Sequence, residues 1–351
     1  MNDNNFIKEI GRSYLISAFL PSALFVSLGV VLFRGFVPIW LELGIDQDSF
    51  LGKNSWAFIL IFTLWVAFFL FSSVDWIVKL FEGYYIPEFL HDHMVKKKLK
   101  LHKKKSKAYN QIAPIVSKSE DTRSYQEVSR YTRLYGKALA ELHNLETISP
   151  INPKILMPTR LGNVLRASEV YADERYDMVS VTIWPRLFPI LPRQFIIDME
   201  EKYNQLMFLL NSSLLTFSIA VLSFLAGMAG WSIQMTNWII FPSEIHIWLN
   251  NFISNYQFIQ PGEYILLSML FVFFGYMMYN ASVNTAQDYT FFIRAGFDLY
   301  RKDLIEQMNF EFPSNLDKEK LLWRLLSEYF IAGERLAMQP IKLPDYKIPK
   351  K

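Results

Sequence analysis

The segment Ser55–Val78 reads SWAFILIFTLWVAFFLFSSVDWIV and contains one charged residue, Asp75. An α-helix needs about 20 consecutive apolar residues to cross the hydrocarbon core of a bilayer, and this segment is long enough. Three other stretches of the chain share its length and apolar character. We therefore predict four transmembrane helices, at Ser13–Phe33, Ser55–Val78, Leu206–Gly230 and Tyr264–Val283.

The basic residues lie almost entirely on one side of these spans. Of the 36 Lys and Arg residues, the loop between the first and second spans contains only Arg34 and Lys53, and the loop 231–263 contains none. Positively charged residues accumulate in cytoplasmic loops. The charge pattern predicts that both termini and the segment between the second and third spans are cytoplasmic.

The composition agrees with a membrane protein that also has a large aqueous part. Hydrophobic residues make up 52% of the chain and charged residues 20%, and the charged share requires substantial contact with water. The predicted fold class is mainly α: four transmembrane helices (2+2), with a helical cytoplasmic insertion and a helical cytoplasmic C-terminal segment. The predicted boundaries are residues 1–80 for the first transmembrane hairpin, 81–204 for the cytoplasmic helical domain, 205–284 for the second hairpin and 285–351 for the cytoplasmic tail.

Motifs for the familiar classes of catalysis are missing from the sequence. The chain has no cysteine, which excludes disulfides, thiolate metal ligands and cysteine nucleophiles. It also lacks glycine-rich phosphate loops and the Gly-x-Ser-x-Gly motif. The chain has one Glu-x-x-His pair, formed by Glu88 and His91, and His93 lies close to it in sequence. A di-iron site in a helical bundle uses two such pairs. We expect no metal and no cofactor, and the sequence does not favour an enzyme.

Several polar residues fall inside the predicted spans, mostly in the cytoplasmic halves of the third and fourth. Polar side chains in a bilayer need partners, so they face another helix or water rather than lipid. Two interpretations fit: hydrogen bonds between helices, or the wall of a polar pathway. In the first span, Pro21 removes one helical hydrogen bond. The candidates for lining a pathway are Asn211, Ser212, Thr216, Tyr276, Asn280, Asn284 and Asp75.

A run of lysines follows the second span. Eight of the twelve residues from 96 to 107 are lysine. Basic clusters next to a membrane helix bind anionic lipid headgroups. Nucleic acid is the weaker interpretation, because the run contains no arginine and no interleaved aromatic residues for base stacking. The predicted headgroup contacts are Lys96, Lys97, Lys98, Lys100, Lys103, Lys104, Lys105 and Lys107.

The richest polar cluster of the chain follows Thr159, which we predict to cap a helix. Arginines near a helix N-terminus can hold a phosphate or carboxylate. The alternative is an ion-pair network between these arginines and the acids that follow them. The residues of this cluster are Arg160, Asn163, Arg166, Glu169 and Arg175.

Other local signals predict helices outside the bilayer. The helix that begins near Phe195 is expected to run straight into the third span, and the fourth span to continue past the membrane. A further helix should follow Pro313, with Ser314 as its cap. The run from Val179 to Trp184 fits a strand and a buried helical turn equally well.

Four segments of the chain resemble a group of bacterial multi-pass membrane proteins: PTRLGNVLR at 158–166, ERYD at 174–177, WPRL at 184–187 and FDLYR at 297–301. This resemblance implies a bacterial inner-membrane protein and transfers no catalytic residue. The order of two spans, a helical insertion, two spans and a helical tail also resembles the bestrophin anion channels, which are pentamers. That resemblance, one of arrangement, implies an oligomeric channel.

The leading hypothesis is an oligomeric pore, similar to an ion channel and gated through cytoplasmic helices. Four helices in one subunit cannot easily enclose a pathway, so this hypothesis requires a homo-oligomer. The alternative is a membrane-anchored scaffold or sensor whose cytoplasmic domain binds a protein partner. A membrane enzyme that uses the Arg160–Asp177 region is the third possibility.

Overall fold

A computed structural model of the chain describes residues 11–32, 55–117, 125–236 and 260–336, and within these ranges the protein is helical and has no β-strand. A π-helical turn, Leu15–Phe19, lies inside α1, and short 3₁₀ turns occur at Pro153–Ile155 and Phe188–Ile190. The helices are α1 Gly11–Leu32, α2 Ser55–Ser72, α3 Val74–Glu82, α4 Glu88–Ser117, α5 Tyr125–Ile148, α6 Arg160–Glu169, α7 Tyr171–Tyr176, α8 Ser180–Leu187, α9 Arg193–Thr236, α10 Pro261–Gln307 and α11 Leu316–Leu336.

The chain divides into two compact units. The first comprises residues 1–78 and 204–282, and the second comprises 79–203 and 283–351. The long helices α9 and α10 contribute to both units, because each continues without a break through the boundary. The predicted continuation of the third and fourth spans into helices beyond them is thereby confirmed.

Three of the described helices, α1, α9 and α10, are long and apolar enough to cross a membrane. The predicted single helix Ser55–Val78 is wrong, because α2 and α3 are separate helices bent by 65° relative to each other. The break falls at Ser73, directly after Ser72, and small polar pairs of this kind are common sites of helix kinks. If α2 and α3 form one broken span, the described residues contain four spans.

The first unit packs α1 against α2 and α9. The rings of Tyr14 and Phe71 meet edge to face, with 5.5 Å between their centroids. A small core of Ile219, Ala220 and Phe271 joins α9 to α10. Gly275 makes this approach possible, since a Cβ there would lie 2.9 Å from the ring of Phe217.

The second unit has its own core, formed by α8, α10 and α11. Ile183 and Leu187 are fully buried and one helical turn apart, which explains why the ambiguous segment from Val179 is a helix, α8. Phe297 of α10 and Trp323 of α11 are also fully buried in this core. α11 buries Trp323 and turns Leu321 outward, to 53% exposure.

The caps of two helices in the second unit test the local predictions. Thr159 is the cap of α6, as predicted, and its Oγ1 accepts a hydrogen bond from the N–H of Gly162 over 2.9 Å. At the start of α11, the side chain of Asn315 accepts from the N–H of Lys318 over 2.9 Å. Asn315 therefore does the capping that we predicted for Ser314, one residue earlier.

Candidate functional site

Asn211 of α9 is bonded to α1 at the position that Pro21 perturbs. Pro21 has no N–H, so the carbonyl of Ser17, four residues earlier, cannot receive its usual helical hydrogen bond. Asn211 is 1% exposed, and its Nδ2 donates to this carbonyl over 2.6 Å. One turn before Ser17, the Ser13 hydroxyl donates to Oδ1 of Asn204 over 2.6 Å. Two amides of α9, two helical turns apart, thus join α1 to α9.

Ser213 and Thr216, two further polar residues of the third span, are also bonded within the chain. Ser213 Oγ donates to the carbonyl of Gly275 over 2.9 Å and so joins α9 to α10. Thr216 Oγ1 donates to the carbonyl of its own helix at Ser212 over 2.6 Å. Ser212 itself is half-buried. For α9, the observed bonds are of the kind that the first interpretation describes, hydrogen bonding within and between helices.

The candidate polar side chains of α10 are more exposed than those of α9. Tyr276, Asn280 and Asn284 are four residues apart, a spacing that aligns them along one face of a helix. Tyr276 is 55% exposed, Asn284 is exposed and Asn280 is half-buried. Asp75 is exposed as well, in the first turn of α3. The chain therefore presents a polar face on α10 that it does not cover fully itself.

The lysine run lies on α4 and is not uniform. Six of its lysines are exposed, whereas Lys98 is half-buried, and the side chain of Lys105 lies outside the described residues. Lys98 is one turn from His102, which is buried with its Nε2 3.1 Å from the carbonyl oxygen of Pro150. Lys98 is thus on the inward face of α4. The exposed members are Lys96, Lys97, Lys100, Lys103, Lys104 and Lys107.

The loop before α6 is held tightly against the end of α3. Thr159 Oγ1 donates to the carbonyl of Glu82 over 2.9 Å, in addition to capping α6. Asn163 is buried, and its Nδ2 donates to the carbonyls of Met157 and Thr159, both over 2.6 Å. Its Oδ1 accepts from the N–H of Met157 over 2.9 Å. The amide of Asn163 is therefore occupied in shaping this loop.

The predicted cluster around α6 does not form a single site. Arg166 is paired with Glu169 across one turn, with 2.9 Å between Nη1 and Oε2. Arg160 and Asn163 line one cavity, of about 360 Å³, and Arg175 lines a second cavity of similar volume. Arg175 also lies over the ring of Tyr171, 5.1 Å from its centroid. The five residues are divided among an ion pair and two cavities.

A polar network centred on Asp298 was not predicted from the sequence. Its two carboxylate oxygens accept from the hydroxyls of Tyr171, over 2.8 Å, and Tyr176, over 2.7 Å. Burial, and then the hydrogen bond to Asp298, raises the pKa of Tyr176 to about 12, and the pKa of Tyr171 also lies above its usual range. Both phenols therefore remain protonated donors. Asp298 connects α7 to α10.

The same network extends to α11 through a partly buried ion pair. Nε of Arg301 is 2.7 Å from Oε1 of Glu319, and the guanidinium also donates to the carbonyl of Asp298 and lies over the ring of Tyr176. Glu319 Oε1 accepts a longer bond, 3.4 Å, from the indole of Trp323. The only sequence signal was that Tyr176 lies in the ERYD segment, and Asp298 and Arg301 in FDLYR. Spacing along the chain gave no reason to pair these segments.

Metal ligands are not gathered anywhere in the described part of the chain, where no three His, Asp or Glu side chains come together. Glu88 and His93 are exposed near the start of α4. His91 is half-buried there, with its Nδ1 3.5 Å from Oδ1 of the adjacent Asp92. These residues place two imidazoles and neighbouring carboxylates near the protein surface.

A cavity of the second unit lies beside Lys98. Its walls come from α4, α5, α6 and α10 and are mainly apolar, with Lys98, His102 and Arg160 among the polar groups. No protein-family model, curated protein or solved structure matches this chain. Function must therefore be inferred from the geometry of these residues.

Proposed function

We propose that the chain is a subunit of an oligomeric membrane protein that forms a polar pathway, gated through the helices of its second unit. In this proposal α1, α2 with α3, α9 and α10 are four spans of a bacterial inner membrane. Both termini and the second unit lie in the cytoplasm, as the distribution of Lys and Arg predicts.

The observation that carries the proposal is the polar face of α10. Tyr276 and Asn284 are exposed on a helix that is apolar enough to cross a membrane. Polar side chains are unfavourable against lipid, so this face should contact water or another subunit. Since three or four helices cannot easily enclose a pathway alone, several copies of α10 around an axis would meet both requirements.

The lengths of α9 and α10 support a role in gating. With a rise of 1.5 Å per residue, these helices extend about 66 and 70 Å, more than twice the ~30 Å of the hydrocarbon core. A displacement at one end of an unbroken helix is transmitted to the other end. The second unit, which holds α10 through Asp298 and Arg301, could therefore influence the membrane part.

A scaffold or sensor is the second candidate. It is favoured by the bonds of Asn211 Nδ2 and Ser213 Oγ, which are made between helices inside the chain. In that case the spans would anchor the protein, and the second unit would bind a cytoplasmic protein partner.

The mass and image of the particle in nanodiscs test the proposed function. We expect a ring of several subunits with an axial cavity lined by the Tyr276 face, and ion release from KCl-loaded liposomes. Asn284→Leu should slow this release, whereas Thr216→Val should not, because Thr216 is bonded within its own helix. A compact dimer without a cavity would favour the scaffold, and a monomer would overturn both the ring and the pathway.

The proposed orientation can be tested directly, because the chain has no native cysteine. A Lys53→Cys variant should react with a membrane-impermeant maleimide applied from the outer side of intact spheroplasts. A Lys103→Cys variant should react only after lysis, since α4 is placed in the cytoplasm. Labelling of Lys103→Cys before lysis would contradict the orientation.

A further inference from the structure

The cavity beside Lys98 combines an apolar wall with a positively charged region. Leu145, Leu156 and Val164 are buried side chains of this wall, and Leu101 forms part of its edge. Lys98 and Arg160 supply the positive charge, and none of the described residues that line the cavity is acidic. Its volume of about 360 Å³ is within the range of small-molecule sites, which are mostly apolar with a few polar groups.

Both cations line the same cavity. Burial, and then the nearby charge of Arg160, lowers the pKa of Lys98, and Lys97 acts in the same direction. Arg160 is exposed, whereas Lys98 is half-buried. An anion bound beside both side chains would be attracted by each of them.

The walls of the cavity are held in place by bonds that need no ligand. His102 is buried with its Nε2 3.1 Å from the carbonyl oxygen of Pro150, and since a carbonyl only accepts, Nε2 carries the proton. Asn163 is fixed by its three bonds to the loop 157–159. A preformed site does not have to be ordered when a ligand binds, which favours affinity.

We propose that this cavity binds an anionic amphiphile: its carboxylate or phosphate lies between Lys98 and Arg160, and its acyl chain lies along Leu101, Leu145, Leu156 and Val164. Charge-assisted hydrogen bonds from the ammonium and guanidinium groups hold the anion. Burial of the acyl chain against the leucines and the valine adds the apolar contribution. A free fatty acid and an acidic phospholipid share this chemistry. The site does not depend on the proposed pathway or on the oligomeric state.

Photo-crosslinking of the full-length protein in neutral detergent tests this inference. The probe is a fatty acid with a diazirine in its chain, and the crosslinked peptides are identified by mass spectrometry. Competitors are dodecanoate, phosphatidic acid, dodecanol and inorganic phosphate. We expect crosslinks on the segments of α4, α5 and α6 that form the wall. Dodecanoate or phosphatidic acid should displace the probe, and the stronger of the two identifies the natural source.

Single substitutions distinguish the contribution of Lys98 and Arg160 from that of the other positive charges on α4. Lys98→Gln and Arg160→Gln should each weaken binding of the probe about tenfold. Lys103→Gln removes an exposed lysine from the same helix and should leave binding unchanged. Leu101→Gln changes the apolar edge at a residue that is 49% exposed, so this variant should fold and should also bind weakly. Thermal unfolding of each variant verifies that it is folded.

Several results would overturn the inference. If dodecanol displaced the probe as well as dodecanoate does, the cavity would bind apolar chains without selecting for a negative charge. Displacement of the probe by inorganic phosphate alone would show a simple anion site without a place for the chain. Unchanged binding in folded Lys98→Gln, or crosslinks confined to α2 and the apolar part of α9, would locate the amphiphile elsewhere.

Discussion

Replacing Asp298 with alanine should lower the free energy of unfolding by about 3–5 kcal/mol, because two hydrogen bonds to a charged group are lost together. The hydroxyls of Tyr171 and Tyr176 would remain half-buried without their acceptor. We expect the unfolding temperature of the solubilised protein to fall by about 6–12 °C. Tryptophan fluorescence is a suitable measurement, because Trp323 lies in the same core and contacts Glu319.

Two matched variants define this effect. Asp288→Ala removes another acid of α10, whose ion pair with Lys202 is long, 3.7 Å, and open to water. This variant should lower the free energy of unfolding by only about 0–1 kcal/mol. Asp298→Asn retains one acceptor oxygen and should have an intermediate effect. If Asp298→Ala were as stable as Asp288→Ala, the network that connects α7 to α10 would not contribute to stability.

Replacing Gly162 with alanine should have the second large effect. A Cβ at this position would lie 2.6 Å from the carbonyl oxygen of Glu82 and 3.0 Å from both Met157 Cβ and Thr159 Oγ1. The backbone of α6 would have to move away from α3, which strains the core and pulls Thr159 from its capping position. Together we expect a loss of about 2–4 kcal/mol in stability, measured by the same unfolding experiment.

Gly136→Ala is the control for this change. Gly136 lies inside helix α5, and a Cβ there would meet nothing within 4 Å. Because glycine is costly in a helix interior, this variant should gain about 0.5–1 kcal/mol. The two substitutions should therefore change the free energy of unfolding in opposite directions. A stable Gly162→Ala protein would mean that the contact between α3 and α6 can open at little cost.

Local composition was sufficient to predict much of the fold. The long apolar helices were recognisable because an apolar run of the required length is a property of neighbouring residues. The same is true of the cap at Thr159 and of the continuous helices α9 and α10. The prediction was wrong at Ser73, where one span was expected and two helices meet at a bend. Nothing in the apolar run itself marks this bend except a pair of serines.

The candidate site was only partly predictable. Arg160 was selected for its charge, but Lys98 was one of eight similar lysines. Only its position one turn before the buried His102 distinguishes it, and that burial is a tertiary property. Asp298 was not selected, because its partners Tyr171 and Tyr176 are more than a hundred residues away in sequence.

The sequence by itself determined that this is a helical protein with segments long and apolar enough to span a membrane, and with an uneven distribution of positive charge. These properties depend on composition and on spacing over about one helix length. The tertiary structure alone decided which polar groups are used internally and which stay available. Asn211 is bonded to Ser17 across 194 positions of the chain, whereas Lys98 faces a cavity. A hydrogen bond or a cavity requires residues from distant segments, and only the packing of the helices brings them together.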